Sequence, residues 1–530
     1  MMPFAVALLC ITASFLSIAL RAPIHDDEFI AFHIIRCLFY PASNVGDGLC
    51  NDMSLRLFHT SLLLPLRVYK YTGSPLVFFH LPFFFLWRHP VSARMVGALA
   101  LVVQGVLIAR LSGVRFIGIT VALFFFFPYV YQHIVDAGST GFQILSLLLI
   151  FLLVRQWSET RRFWLLSLAA LVLFLGTWIK LSFLWYLPAL FIFFVFCVWR
   201  QRKQWNRSRA AVHVVLAFLI YGVLLSVLLF ASSPGDAASK PFFEQLLSAR
   251  WIDWHALVHG HWIKTQLLRS FLNPLEATQR SYNVRLPVPL AVLYNFFLYL
   301  AAPLVVSLLW PHSDRRVRQS LRESALYFLL FLLTAFVVSI QSQAWAMHHV
   351  LLAFPFLILS YAQLFAALGM VGKSGWRTAK IILTAVLCSL PLSFAICSVA
   401  LSHQTVRDYD DASKVAVNEL LHDATLASQY YYVVIDWGMM FYQGLYGDAS
   451  QAVLWRTHLS ASQLEALQSL SAEQGRKLLF IYKNGSNPTV SLIRRTVQIV
   501  DCRAIDRGGV WRIAAEESTR YREVCFGSEM

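Results

Sequence analysis

Long apolar blocks separated by short basic segments fill the first 400 residues of the chain. Blocks of about 18–25 apolar residues are long enough to cross a ~30 Å hydrocarbon layer as helices. The pattern predicts eleven such helices, over Met1–Leu20 and then over 92–110, 114–131, 138–155, 163–178, 182–199, 210–230, 286–310, 325–341, 350–369 and 379–400. The first block ends at Arg21 and has neither a basic leader nor a small-x-small cleavage site, so it reads as a retained helix. The segment Ser74–Trp87 is apolar and aromatic but short, with Pro75 and Pro82 inside it. It suits a helix lying in the membrane interface or dipping back from it.

The periodicity changes after residue 401. Asp408–Ser428 reads as a polar helix and Tyr430–Asp436 as an apolar strand. A helix over Ser460–Ala472 follows, then strands over Leu478–Lys483, Thr496–Asp501 and Val510–Ala514. The expected fold class is an α-helical polytopic membrane protein with about eleven transmembrane helices and a small C-terminal extracytoplasmic α/β domain. Residues 1–401 form the membrane module, with a first outer loop over 21–90 and a second over 231–285. Residues 402–530 form the soluble domain.

Composition agrees with this division. The chain of 530 residues is 58% hydrophobic and only 14% charged, against roughly 25% charged in soluble domains. That excludes a disordered chain, a coiled coil and a small disulfide scaffold.

The net charge of +16 invites a nucleic-acid reading, which the location of the charges removes. With Ser74–Trp87 left out of the span count, one side of the membrane receives Arg110 and Arg115, then Arg155, Arg161 and Arg162. The same side receives Arg200, Arg202, Lys203, Arg207 and Arg209, then Arg315, Arg316, Arg318 and Arg322, and finally Lys373, Arg377 and Lys380. These seventeen basic residues face only Glu159, Asp314 and Glu323, so those loops carry +14 of the total charge. Such an excess marks the cytoplasmic side, and no nucleic-acid partner is needed to explain it. The two long loops and the C-terminal domain then lie outside.

Of the eight cysteines, Cys10, Cys197, Cys388 and Cys397 fall within spans, where a thiol serves as a small packing residue. Cys37 and Cys50 share the first outer loop, and Cys502 and Cys525 share the C-terminal domain. In an oxidising compartment each is a disulfide candidate; the alternative is two free thiols. No cysteine spacing resembles a zinc site.

The candidate chemistry gathers at the outer ends of the spans. His25-Asp26-Asp27-Glu28 follows the first helix directly. Three adjacent carboxylates repel one another, and one pKa rises unless a cation or donor compensates. Such a group can act as a general base on an acceptor hydroxyl or amine, or Asp26, Asp27 and Glu28 can hold a divalent metal ion. A solvated cap at the helix end is the plainer reading. Asp136, after the third span, shares the outer side; it is otherwise a helix N-cap. Lys180 sits in the tight outer turn Gly176-Thr-Trp-Ile-Lys180, where a cation can hold a phosphate headgroup or simply snorkel to the interface. His348 and His349 open the tenth span and can donate to a phosphate or merely line the interface. Arg250, Lys264, Arg269, Arg280 and Arg285 with Trp251, Trp254 and Trp262 suit an anionic headgroup plus a sugar, or any interfacial helix.

This arrangement resembles the GT-C superfamily of polytopic glycosyltransferases, in its protein O-mannosyltransferase and aminoarabinose lipid A transferase branch. The residues that carry the likeness are Asp27-Glu28 after the first helix, Asp136 after the third span, and Thr177-Trp-Ile-Lys180 after the fifth. Pro90-Val-Ser-Ala-Arg94-Met-Val-Gly-Ala-Leu99 resembles the family's entry into the second span. His348-His349-Val-Leu-Leu-Ala-Phe-Pro355 stands where many members have an Arg-Tyr pair ahead of a proline. The likeness covers about residues 1–370. Two features depart from it: the family's Lys-Pro-Pro element is reduced to Lys70 and Pro75, and two histidines replace the Arg-Tyr.

The resemblance implies a sugar donor on a polyprenyl-phosphate carrier and an extracytoplasmic lipid, glycan or protein acceptor. It implies in-line displacement with inversion at the anomeric carbon. Asp27 would be the base, with Asp26, Glu28 and Asp136 in support, and the leaving lipid phosphate would be stabilised by Lys180, with His348, His349 or Lys70. No cofactor is implied beyond a possible divalent metal ion. The implied location is a bacterial inner membrane, or the endoplasmic reticulum membrane in a eukaryote. A lipid or sugar transporter (flippase) and a polysaccharide polymerase or ligase are the rival readings. Transporters commonly show inverted repeats and midplane charges; here no repeat is visible and the charges lie at the span ends.

Overall fold

The structure is a computed structural model. It describes residues 72–87, 90–113, 139–202, 207–231, 302–341 and 351–370, with shorter stretches within 31–35, 54–69, 254–260, 424–434, 453–482, 491–505, 511–512 and 522–527, and the single residues 133, 299 and 349. The predicted spans over 1–20, 114–131 and 379–400 lie outside the described residues. So do Asp26, Asp27, Glu28, Asp136, Lys70, His348, Cys37 and Cys50.

The described helices are α1 (Pro75–Leu86), α2 (Pro90–Ser112), α3 (Ser139–Thr160), α4 (Phe163–Ile179), α5 (Leu187–Arg200) and α6 (Arg207–Ala231). They continue with α7 (Trp254–Val258), α8 (Ala302–Leu309), α9 (Arg315–Ser339), α10 (Phe354–Met370), α11 (Ala424–Gln429) and α12 (Ala461–Glu473). The strands are β1 (Ser54–Arg56), β2 (Leu63–Pro65), β3 (Arg67–Tyr69), β4 (Thr72–Gly73), β5 (Tyr430–Val434), β6 (Val453–Trp455), β7 (Lys477–Tyr482), β8 (Ile499–Ile505), β9 (Trp511–Arg512) and β10 (Arg522–Gly527).

Among the described residues, six helical stretches are long and apolar enough to cross a membrane: Val91–Ser112, Ser139–Thr160, Leu181–Arg200, Ala210–Leu228, Arg315–Ser339 and Leu351–Met370. Each falls on a predicted span. Phe163–Ile179 and Pro75–Leu86 are shorter apolar helices, the second where an interfacial helix is expected. The chain is an integral membrane protein.

The chain divides into two compact units. One comprises Met1–Ala22, Lys70–Pro75 and Arg94–Thr405; the other comprises Pro23–Tyr69, Leu76–Ala93 and Val406–Met530.

In the first unit, α3 and α4 are neighbours joined by Arg161 and Arg162. Arg161 adopts φ of 60°, the left-handed conformation that ends many helices, and its N–H bonds the Trp157 carbonyl at 2.7 Å. The Leu351–Met370 stretch is the most enclosed of the spans, and Ala210–Leu228 the least, with Val212, Val215, Phe218 and Val223 exposed for lipid. Helices α9 and α10 approach closely because small residues meet. Ser324 Oγ donates to the Ser360 carbonyl and Ser360 Oγ to the Ser324 carbonyl, each at 2.9 Å. Phe151 of α3 stacks on Phe193 of α5 at 3.8 Å between ring centres.

One span begins earlier than predicted. Helix α9 starts at Arg315 rather than at 325, because Asp314 caps it: its carboxylate accepts from the N–H groups of Arg316 and Val317, both at 2.9 Å. The arginines expected in a loop therefore ride on the first turns of a helix that then enters the apolar layer.

In the second unit, β1 and β2 form an antiparallel hairpin, and a mixed six-stranded sheet has the order β6-β5-β7-β10-β8-β9. Strand β5 runs parallel to both β6 and β7, and β10 is antiparallel to β7 and β8. Helix α12 lies between β6 and β7 in sequence and buries Leu464 and Leu467. Tyr432 and Val433 of β5 and Leu478, Leu479 and Phe480 of β7 are buried in succession. Consecutive burial means both faces of these central strands are covered, which explains why they read as apolar runs without alternation. Strands β6 and β10 were not predicted; β10 opens on charged Arg522 and Glu523, which leave it only a short apolar core.

The sheet register sets Cys525 of β10 directly opposite Cys502 of β8. Facing positions of an antiparallel pair stand ~4.5–5.5 Å apart, inside the usual Cα separation for a disulfide. Cys502 and Cys525 are therefore expected to resist alkylation in the folded protein until a reductant is added. Labelling of both without reductant would show free thiols.

Candidate functional site

The α4–α5 junction does not make a simple turn. Helix α4 ends at Ile179, Lys180 is fully extended (φ −161°, ψ 132°), and a 3-10 helix over Leu181–Tyr186 leads into α5. Two glycines permit this shape. At Gly176 a Cβ would lie 2.8 Å from the Phe183 ring, so only glycine lets that ring close over the end of α4. At Gly73 a Cβ would overlap the Trp178 carbonyl and indole.

The Lys180 backbone is tied on every side. Its N–H donates to the Gly176 carbonyl at 3.2 Å. Its carbonyl accepts from the Phe183 N–H at 2.9 Å and from Gln143 Nε2 at 3.0 Å. Gln143 also donates to Ser182 Oγ at 3.0 Å. Thr72 of β4 pairs with Lys180 as an antiparallel bridge, so this part of the first outer loop lies directly on the turn. The Lys180 side chain is only 6% exposed.

His349 reaches the same place from the start of the α10 span. It is 6% exposed, and its ring centre lies 5.5 Å from that of Trp185. Burial, and secondarily the nearby Lys180 charge, hold its pKa well below the usual imidazole value, so it is neutral at pH 7. Lys180 and His349, which come from motifs 169 residues apart in sequence, are thus both buried beside the 3-10 helix, near enough for the Lys180 charge to act on the imidazole, while Gln143, Ser182 and Thr72 hold the Lys180 turn. Of the site residues expected from sequence, these are the two whose side chains the structure describes.

A second polar cluster occupies the opposite end of α3, twelve residues on from Gln143 and so about 18 Å away along the helix. The Glu323 carboxylate accepts from Arg200 at 2.6 Å and from Gln363 Nε2 at 3.0 Å, with Arg155 at 3.6 Å. Helices α3, α5 and α9 thus have their arginine-bearing ends together, with Gln363 of α10 beside them, and Lys180 and His349 lie at the other end. Among the described residues no group of three His, Cys, Asp or Glu side chains can hold a metal ion.

Sequence reasoning missed Gln143, Ser182, Thr72 and Gly73. Gln143 alone carried a signal: it is the one amide in an otherwise apolar span, and a buried amide there needs a partner. Arg94, noted only as part of a motif, is 1% exposed. Gly73→Ala is expected to force β4 off the Trp178 carbonyl and break the Thr72–Lys180 bridge. Protease cleavage between Lys70 and Pro75 should rise several-fold; unchanged cleavage would mean that the loop is not held there.

The sequence matches no known family profile and no curated protein. Among solved structures it is similar to that of ArnT from Cupriavidus metallidurans bound to undecaprenyl phosphate, with a TM-score of 0.57 at 13% identity. The match covers 99% of this chain and 97% of that one. The same ArnT in its apo state gives a TM-score of 0.45 at 15% identity over the same shares. This chain therefore shares the fold of that ArnT structure over nearly its whole length.

Proposed function

We propose that the protein is a glycosyltransferase that moves a sugar from a polyprenyl-phosphate carrier to an acceptor at the outer membrane face. The observation that carries this reading is the likeness over nearly the whole chain to an ArnT structure holding undecaprenyl phosphate. The buried Lys180 cluster supports it, because it supplies a desolvated cation at the end of the bundle away from the basic-rich helix ends. Those basic-rich ends face the cytoplasm by the positive-inside rule, so Lys180 and His349 face outward.

In this mechanism the acceptor nucleophile attacks the anomeric carbon in line and inverts it. Asp27 removes the acceptor proton, with Asp26, Glu28 or Asp136 shaping its field or holding a divalent cation. The bond from the anomeric carbon to the phosphate oxygen breaks, and the carrier leaves as a lipid phosphate. Lys180 stabilises the charge that develops there, and its low exposure strengthens that effect. His348 and Lys70 are the other candidate contacts to the phosphate. The acceptor is a lipid, glycan or protein of the cell envelope.

Lys180→Ala is expected to weaken binding of a polyprenyl monophosphate at least tenfold, since a buried charge-assisted contact is worth roughly 1.5–3 kcal/mol. Binding to the purified protein in detergent checks this. Equal affinity in wild type and variant would remove Lys180 from the carrier site.

A further inference from the structure

Donor and product of the proposed transfer differ in charge. In the carrier-linked sugar the phosphate is a diester with one negative charge. When the acceptor attacks, the bond between the anomeric carbon and the phosphate oxygen breaks and its electron pair stays on that oxygen. The carrier leaves as a monoester that carries close to two charges at neutral pH, because its second pKa is about 6. The acceptor loses one proton in the same step, so the reaction releases one negative charge onto the carrier and one proton elsewhere. A buried site that holds first the diester and then the monoester must acquire about one positive charge, because an uncompensated buried charge is costly.

Lys180 supplies one fixed charge to such a site. We propose that His349 supplies the second by taking up a proton as the monoester forms, so that the Lys180–His349 pair matches one charge with the donor bound and two with the product bound. This inference rests on the reading of the Lys180 turn as the carrier-phosphate site.

The placement of His349 suits the role. Its imidazole is buried, with the uncharged Trp185 ring 5.5 Å away. Among the described residues the charged group that acts on it is Lys180, from the α4–α5 junction. Gln143 of α3, Ser182 of the 3-10 helix and Thr72 of β4, which hold the Lys180 turn, do not titrate in the physiological range. Burial and Lys180 keep the ring neutral while no dianion is present, and a dianionic phosphate reverses the sign of the local field. The Arg-Tyr that many GT-C members have here would give a fixed charge; histidine gives one that follows the chemistry.

The consequence is a proton-linked product. Affinity for the monoester rises by up to about tenfold for each pH unit below 8 that is crossed while one proton is taken up on binding, and affinity for the diester does not. Calorimetric titration of the full-length protein in detergent, at pH 8 in buffers of different ionisation enthalpy, counts that proton. The probes are a polyprenyl monophosphate and the methyl diester of the same lipid phosphate.

Wild type is expected to take up about one proton more with the monoester than with the diester. In His349→Gln that difference should vanish. Persistence of the difference in His349→Gln overturns the inference, because the proton then sits on the phosphate itself, and it leaves the carrier site intact. If His349→Gln binds neither probe, His349→Arg decides: monoester binding without proton uptake supports the role, and undiminished uptake overturns it. Failure of wild type to bind either probe removes the carrier site, and the inference with it.

Discussion

Asp27→Asn is expected to lower transfer from a polyprenyl-phosphate sugar by about 10²–10⁴-fold, the usual worth of a general base. The carboxylate stands seven residues beyond the first apolar block and within a run of three acids. It is the residue that the family likeness assigns to proton abstraction. The amide is nearly isosteric but cannot accept the proton, so the protein should insert and fold as wild type does. Carrier-lipid binding should survive, because the proposed phosphate contact lies elsewhere, at Lys180. A variant that transfers at the wild-type rate would strip Asp27 of the role. One that loses both transfer and lipid binding would point to a structural effect instead.

Glu323→Ala should have the largest effect on stability. The carboxylate is 6% exposed and takes Arg200, Arg155 and Gln363 as partners. Its removal leaves two arginines together at the ends of α3 and α5 without their shared anion. Breaking a buried ion pair from one side costs roughly 3–5 kcal/mol. Both arginines keep some water contact, which moves the expectation to the lower end, about 3 kcal/mol. Thermal unfolding in detergent should show a clear drop in midpoint. Glu323→Gln should fall between, because the amide can still accept one hydrogen bond. An unchanged midpoint in Glu323→Ala would mean that solvent already neutralises the arginines.

The membrane part of the fold was legible because the hydrocarbon layer imposes a length on each helix. Blocks such as 138–155 and 350–369 could hardly be anything else. The start of α9 was not legible from hydropathy, since its first nine residues carry four arginines and a glutamate; only the Asp314 cap signals it. The C-terminal strands were legible where both faces are buried, as in β5 and β7. Strand β10 was missed because its six residues include charged Arg522 and Glu523.

The candidate site divides in the same way. Lys180 and His349 stood out in sequence as cationic or titratable groups at the outer ends of apolar helices, and the structure buries both beside the same 3-10 helix. What sequence could not give was the support around them. The bond from Gln143 to the Lys180 carbonyl spans 37 residues, and the need for glycine at position 73 arises only because Trp178 comes to lie against it. Such requirements exist only once distant segments meet.

The most direct test of the central claim is a transfer assay with purified protein. It would use a pool of polyprenyl-phosphate sugars, with envelope lipid, glycan and protein fractions as acceptors, and would measure free polyprenyl monophosphate and acceptor-linked sugar together. The account predicts that the two products appear in equal amounts, only when acceptor is present, and that both are lost in Asp27→Asn. Movement of intact carrier-linked sugar across a vesicle membrane, with no monophosphate released from any donor in the pool, would contradict it.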